Sequence, residues 1–234
     1  SYKLYKQNKE NSINDYKYRL YNYPVTQRGG AHSNKPAFLI NMHRIDSVSD
    51  AEAYISRLNG FKEFFTQVVE NLKAREAIGI VPPKFIYDKV VQTTENILVG
   101  QPFDKSNKKS TLLKDFMKKV NKLEIDGKAK SDLETQARQA LLTSVKPAYE
   151  GLLSFIKGQK ERANSDHGVW KFPDGKTFFN NRLKRITTTD LTADEIHKIG
   201  LDEVARIHGE MDAIRKKVGF KGTLQDFFQF MKTD

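Results

Sequence analysis

Apolar residues along this chain recur at helical spacing, and almost nowhere at the alternation of a strand. The clearest run is Thr187 to Gly219, where Ile196, Gly200, Val204, Ile207, Met211, Ile214 and Val218 fall at steps of 4, 4, 3, 4, 3 and 4. That spacing draws one narrow apolar stripe along a helix of roughly seven turns. Thr192 and Glu195 stand in the order of a capping box, and Gly219 sits where a left-handed C-terminal stop belongs. Asp194, Glu195, Asp202 and Glu203 crowd the first half and Arg215, Lys216 and Lys217 the last turns, as the helix dipole favours. The pattern predicts a packed structural girder.

The rest of the chain yields further helices in order. Residues 1–35 are polar and tyrosine-rich, read as a short helix or extended arm and then a loop at Gly29-Gly30. Ala37 to His43 is the one segment with strand character, or a buried extended stretch. Ser49 and Glu52 form a second capping-box pattern, with Tyr54, Ile55 and Leu58 pointing inward. Gly60 interrupts that helix, and Phe61, Phe64, Phe65, Val68 and Leu72 carry the next. Pro82-Pro83 is a stop and restart. Leu112, Leu113, Phe116, Met117 and Val120 mark another helix, and Ala129 to Ile156 a long one. Pro147 lies inside that long run and predicts a kink or break near Ser144. Phe178 to Ile186 form a short helix, and Thr223 caps the last one. The short links predict an all-α, up-and-down bundle of about eight to ten helices with one long kinked helix. The expected organisation is one helical domain over 1–234, with 1–46 a loop-rich arm and 47–234 the bundle.

Composition refines this picture. Only 38% of residues are hydrophobic and 29% are charged, but 15 Phe and 9 Tyr argue against disorder. The absence of cysteine excludes disulfides, thiolate metal sites and cysteine nucleophiles. The net charge of +11 is carried by lysine far more than arginine, which suits solubility better than bidentate reading of bases or phosphates. Nucleic acid is therefore not the expected partner. Lys105 to Lys130 holds nine lysines against three acids and reads as a solvated face. No apolar run approaches the roughly 20 residues needed to span a bilayer. The start at Ser1-Tyr2-Lys3 is neither a signal peptide nor an initiator, so a processed product or a fragment is expected.

Candidate chemistry is sparse. A zinc peptidase of the HExxH type needs two imidazoles four residues apart on one helical face, and no such pair exists here. His197 and His208 share a face but stand about 16 Å apart along a helix. Nucleophile elbows, dinucleotide fingerprints and phosphate loops are missing. RGGAHSNKP (Arg28 to Pro36) has glycines that suit a plain turn, or an anion site without the usual spacing. The loop Asn164 to Lys176 holds Trp170 and the turn Asp174-Gly175, and it is the one stretch suited to ligand contact. A lone Trp there is either a plug on the core or a binding platform.

Four stretches resemble a bacterial family, domain of unknown function 885. They are YPVTQRGGAHSNKPAFLINMHRID (Tyr23 to Asp46), DAEAYISRLNGF (Asp50 to Phe61), GIVPPKFIYDKV (Gly79 to Val90), and the long run GVWKFPDGKTFFNNRLKRITTTDLTADEIHKIGLDEVARIHGEMDAI (Gly168 to Ile214). The family is similar to gluzincin metallopeptidases, mostly helical proteins with a zinc motif of the form HE-x-x-P-G-H. That motif is absent here. The resemblance therefore implies the N-terminal-to-middle portion of such a protein, with zinc expected only in a downstream part. It carries no catalytic or metal-binding residue onto this sequence. By analogy the segment is a wall or lid over a substrate channel, with Arg28, His32, His167, Trp170 and Asp174 as candidate channel contacts. Its implied partners are a peptide substrate and the C-terminal catalytic part. After PDG, where an aromatic hydroxyl would be expected, stand Phe178 and Phe179. Exported relatives point to the cell envelope, with the cytoplasm left open. The competing reading from the residues alone is a stand-alone basic helical module that binds an anionic polymer or protein partner.

Overall fold

Pro147 sets the form of the longest helical run. It has no N–H for the carbonyl of Thr143, and its ring crowds that carbonyl. The backbone answers with a π turn over Leu141–Val145, closed by the Lys146 N–H on the Leu141 carbonyl. The irregularity expected near Ser144 is this turn, and helix continues on both sides of it.

In the computed structural model, residues 1–233 are described and form two compact units, Ser1–Pro173 and the segment from Asp174 onward. The first unit contains α1 (Tyr2–Asp15), a hairpin of β1 (Val25–Thr26) and β2 (Gly29–Gly30), α2 (Ala31–Asn41), α3 (Val48–Asn59) and α4 (Phe61–Ala77). It continues with α5 (Ile86–Glu95), α6 (Thr111–Val120), α7 (Gly127–Ala140), the π turn and α8 (Lys146–Arg162). The second holds α9 (Gly175–Thr187), α10 (Ala193–Lys217) and α11 (Leu224–Thr233). The fold is all-α, a multi-helix bundle.

The run from α7 through α8 is the spine of the first unit: α4 and α5 pack on α8, α3 packs on α7, and α2 packs on α6. The predicted apolar faces supply the core, with Tyr54, Phe65, Phe116, Leu113, Leu152 and Tyr149 all sealed from solvent. Each such side chain contributes roughly 1.5–3 kcal/mol on burial. The Phe65 and Tyr149 rings meet at a tilt, 4.7 Å between centroids, and join α4 to α8.

Three expectations are revised. Ala37 to His43 is not extended; most of it belongs to α2, which runs straight through Pro36. The segment 1–46 thus holds two helices and a hairpin where a loop-rich arm was expected. The cap of α3 is Ser47, whose hydroxyl accepts from the Asp50 N–H at 3.2 Å and donates to the Asp50 carboxylate. Ser47 rather than Ser49 is chosen because its extended backbone places the hydroxyl over the first turn.

In the second unit the ends of α10 match the sequence. The Thr192–Glu195 capping box is complete. Gly219, at φ 75°, closes the other end by bonding to the Lys216 carbonyl while Phe220 N–H reaches Arg215. Thr223 caps α11 through Asp226. Phe227 is buried among Phe220 and Phe230 at the α10–α11 corner. The stripe itself is not packed: α10 has no buried residue, and Val204, Ile214 and Val218 are 50%, 56% and 62% exposed. The expectation of a packed girder is corrected to a well-capped helix with an open apolar face.

Candidate functional site

The five sequence-derived contacts do not form one site. Arg28 is exposed at the β1–β2 turn, its N–H bonded to the Thr26 hydroxyl. His32 is only 2% exposed in the first turn of α2, enclosed by its neighbours rather than open to solvent. Its Nδ1 has no hydrogen-bond partner, and burial pushes the imidazole down to about 4. His167 is exposed, edge-on to the Phe85 ring at 5.3 Å. Trp170 is 70% exposed, so it is no core plug. That role falls to Phe172, which the Tyr21 and Tyr23 rings flank at 5.6 and 5.9 Å. Asp174 heads the second unit with left-handed backbone at φ 52°, and its carbonyl accepts from the Phe178 N–H.

The site that the structure does assemble lies elsewhere. A cleft of about 320 Å³ opens between α2, α3 and α4, lined by Lys35, Phe38, Leu39, Arg57, Gly60, Phe61 and Phe64. Lys35 and Phe38 share a face because α2 is helical there, three residues apart. Phe61 and Phe64 do the same on α4. The Lys35 ammonium sits 4.4 Å from the Phe64 centroid, and the Arg57 guanidinium 5.7 Å from that of Phe38. Apolar floor and cationic rim belong to the same small space.

A polar network holds this wall in place. Arg57 Nη1 donates to His43 Nδ1, and His43 Nε2 donates to the Asp50 carbonyl at 3.0 Å. Those two bonds require the neutral Nε2–H imidazole. Burial lowers the His43 pKa, and the charges of Arg57 and Lys119 lower it further. The His43 ring meets the edge of Tyr54 at 5.0 Å, and the Tyr54 hydroxyl donates to Asp115 at 3.2 Å. Burial raises the Tyr54 pKa, reinforced by the Asp115 charge. Lys119 completes the set, donating to Asp115 and to the carbonyls of Leu39 and Ile40 at 2.7, 2.9 and 2.8 Å. It thereby caps the C-terminal end of α2.

Chemically this arrangement can hold an anion on an apolar bed. It has no nucleophile paired with a base. Nor do the residues present fit zinc: among the described residues no three His, Cys, Asp or Glu side chains converge on a point that could hold a metal ion. Sequence reasoning passed over Lys35, Phe38 and Arg57. The i, i+3 spacing of Lys35 and Phe38 would have paired them, had the segment not been assigned an extended form.

The fold and the cleft define a class: an all-α helical protein carrying a cation-rimmed phenyl cleft. The chain belongs to the family described as "Bacterial protein of unknown function (DUF885)", whose profile matches residues 1–234. Among solved structures it is similar to a candidate lipoprotein from Colwellia psychrerythraea, at 27% identity and a TM-score of 0.74. The match covers 87% of this chain and 34% of that one, so the chain spans about a third of that protein's length. Comparison with curated proteins finds no match. No described helix is long and apolar enough to cross a membrane.

Proposed function

We propose that this chain is the helical, non-catalytic substrate-access region of a larger zinc-dependent peptidase-like hydrolase, and that the part bearing the metal and the reaction centre packs on the stripe of α10. The observation that supports this most is α10 itself, capped at both ends and apolar along one side with no residue buried. A helix of that length with an open stripe is incomplete as a soluble surface. The similarity to one third of a longer protein supports the same reading. Exposed Arg28, His167 and Trp170 are the residues available as channel contacts. A cell-envelope location belongs to the same reading, supported by the lipoprotein description of that relative.

The experiment uses the cysteine-free background of the chain. Val204→Cys and Ile207→Cys are labelled with a maleimide, once in residues 1–234 and once in a chain extended by the family's downstream part. Fast labelling in the first and strong protection in the second is the expected result. Equal labelling in both would remove the packing role. A tight one-to-one zinc site measured by calorimetry on residues 1–234 would remove the non-catalytic assignment. The rival polymer-binding reading predicts a steep salt dependence of binding to generic DNA. Lys109 and Lys128 of the lysine-rich segment are already paired with Glu134 and Asp132, which favours a solvated face instead.

A further inference from the structure

We propose that the cleft between α2, α3 and α4 binds an apolar carboxylate, its carboxylate held between Lys35 and Arg57 and its hydrocarbon or phenyl body resting on Phe38, Phe61 and Phe64. The inference does not depend on the peptidase reading.

The first argument is charge. Cations that line the helix contacts of this chain are commonly held by an acid, as Lys160 is by Asp88 and Arg162 by Glu76. Among the described residues no carboxylate forms a salt bridge with Lys35 or Arg57, and both face the same cleft. Their ring contacts are weak compensation, about 0.5–1 kcal/mol each at exposed sites.

The second is the way Arg57 is held. Its fixed partner is a neutral imidazole, His43 Nδ1, which in turn is locked by the Asp50 carbonyl and the Tyr54 ring. A carboxylate in that place would have neutralised the guanidinium. An imidazole orients it and leaves its full charge, with its remaining N–H groups, for a ligand. The planar fork of those donors matches the geometry of a carboxylate.

Gly60 supplies the third. It joins α3 to α4 with ordinary helical backbone, φ −71° and ψ −10°, so no left-handed conformation requires glycine there. A Cβ would meet only the carbonyl oxygens of Arg57 at 3.5 Å and Ser56 at 3.8 Å, which is normal contact. Alanine would be tolerated and would cost less backbone entropy. Gly60 lines the cleft and contributes only backbone to its wall. A volume of about 320 Å³ accepts one phenyl or short alkyl group with its carboxylate. The same chemistry is presented by the last residue of a peptide and by a free aromatic or fatty acid.

Isothermal titration tests this with N-acetyl-phenylalanine, its amide, a tripeptide ending in phenylalanine, and octanoate. The expected result is saturable one-to-one binding of N-acetyl-phenylalanine and about tenfold weaker binding of its amide. Lys35→Gln and Arg57→Gln each weaken the acid by a similar factor. Gly60→Leu, whose backbone is compatible with the helix, abolishes binding while the circular dichroism and melting temperature are kept. A tripeptide that binds tighter than the single residue identifies a peptide terminus as the source; octanoate binding as well as either identifies free acids. Equal affinity for acid and amide would overturn the proposal. So would binding that survives Gly60→Leu, or no saturable binding at millimolar concentrations.

Discussion

The Tyr149 hydroxyl donates a 2.7 Å hydrogen bond to the carbonyl of His32, 117 residues earlier in the chain. In a regular helix that carbonyl would accept from the N–H of residue 36, and residue 36 is proline. A side chain from α8 therefore supplies the donor that α2 lacks.

Tyr149→Phe should cost about 1–3 kcal/mol, because it leaves a buried carbonyl without its partner. Pro36→Ala returns an N–H to position 36. In that background the same Tyr149→Phe change should cost less, with a coupling of at least ~0.5 kcal/mol. Urea unfolding of the four proteins measures it. Equal costs in both backgrounds would show that proline and tyrosine are not compensating one another.

His32 makes stability depend on pH. Burial holds its pKa near 4 in the fold, against an ordinary 6.5 in the unfolded chain. Between those values the unfolded chain binds the extra proton, so stability falls as the pH drops. The contribution is complete above pH 6.5, is lost progressively towards pH 4, and does not change further below that. Its size is on the order of 2 kcal/mol, allowing for solvent screening. Urea midpoints of the wild type and His32→Gln, compared from about pH 8 to about pH 4.5, isolate it. The wild type should lose ground relative to the variant across this range; a constant difference would contradict the assignment.

Lys119 is worth more than a surface lysine. Its three bonds join the end of α2 to Asp115 and hence to Tyr54. Lys119→Met keeps the packing of the alkyl stem and removes all three, at a cost of about 1.5–3 kcal/mol. Lys119→Arg should recover little, since a planar fork cannot replace three donors radiating from one nitrogen. Thermal melts of the two variants decide this: a midpoint within a degree or so of wild type for Lys119→Met would reduce the cap to a surface contact.

Much of the fold was legible because burial follows local periodicity. Leu112, Leu113, Phe116, Met117 and Val120 fall on one side of α6, and all five are buried. Pro147 likewise announced a break in the long helix and received a π turn. The failures come from partners far away in sequence. Pro36 removes a backbone donor from α2, and the replacement comes from Tyr149, far away on α8. That misreading also hid the cleft, because Lys35 and Phe38 share a face only in a helix. For Trp170 the local signal was the lone Trp, yet Phe172 two residues on fills the core instead.

The stripe of α10 supplies the sharpest contrast between pattern and burial. Its register and caps are those of a packed helix, but periodicity records a face and not the presence of something against it. Ile214, 56% exposed, should therefore change to alanine at a cost within about 0.5 kcal/mol in residues 1–234. Leu152, sealed on α8, should cost about 2–5 kcal/mol for the same truncation. Chemical denaturation of both variants, read separately for the two units, makes the comparison. In a chain extended by the family's downstream part the cost at Ile214 should rise towards the buried value, because a partner surface would then lie over the stripe. A large penalty at Ile214 in residues 1–234 alone would mean that the stripe is already covered, and the case for an absent partner would go with it.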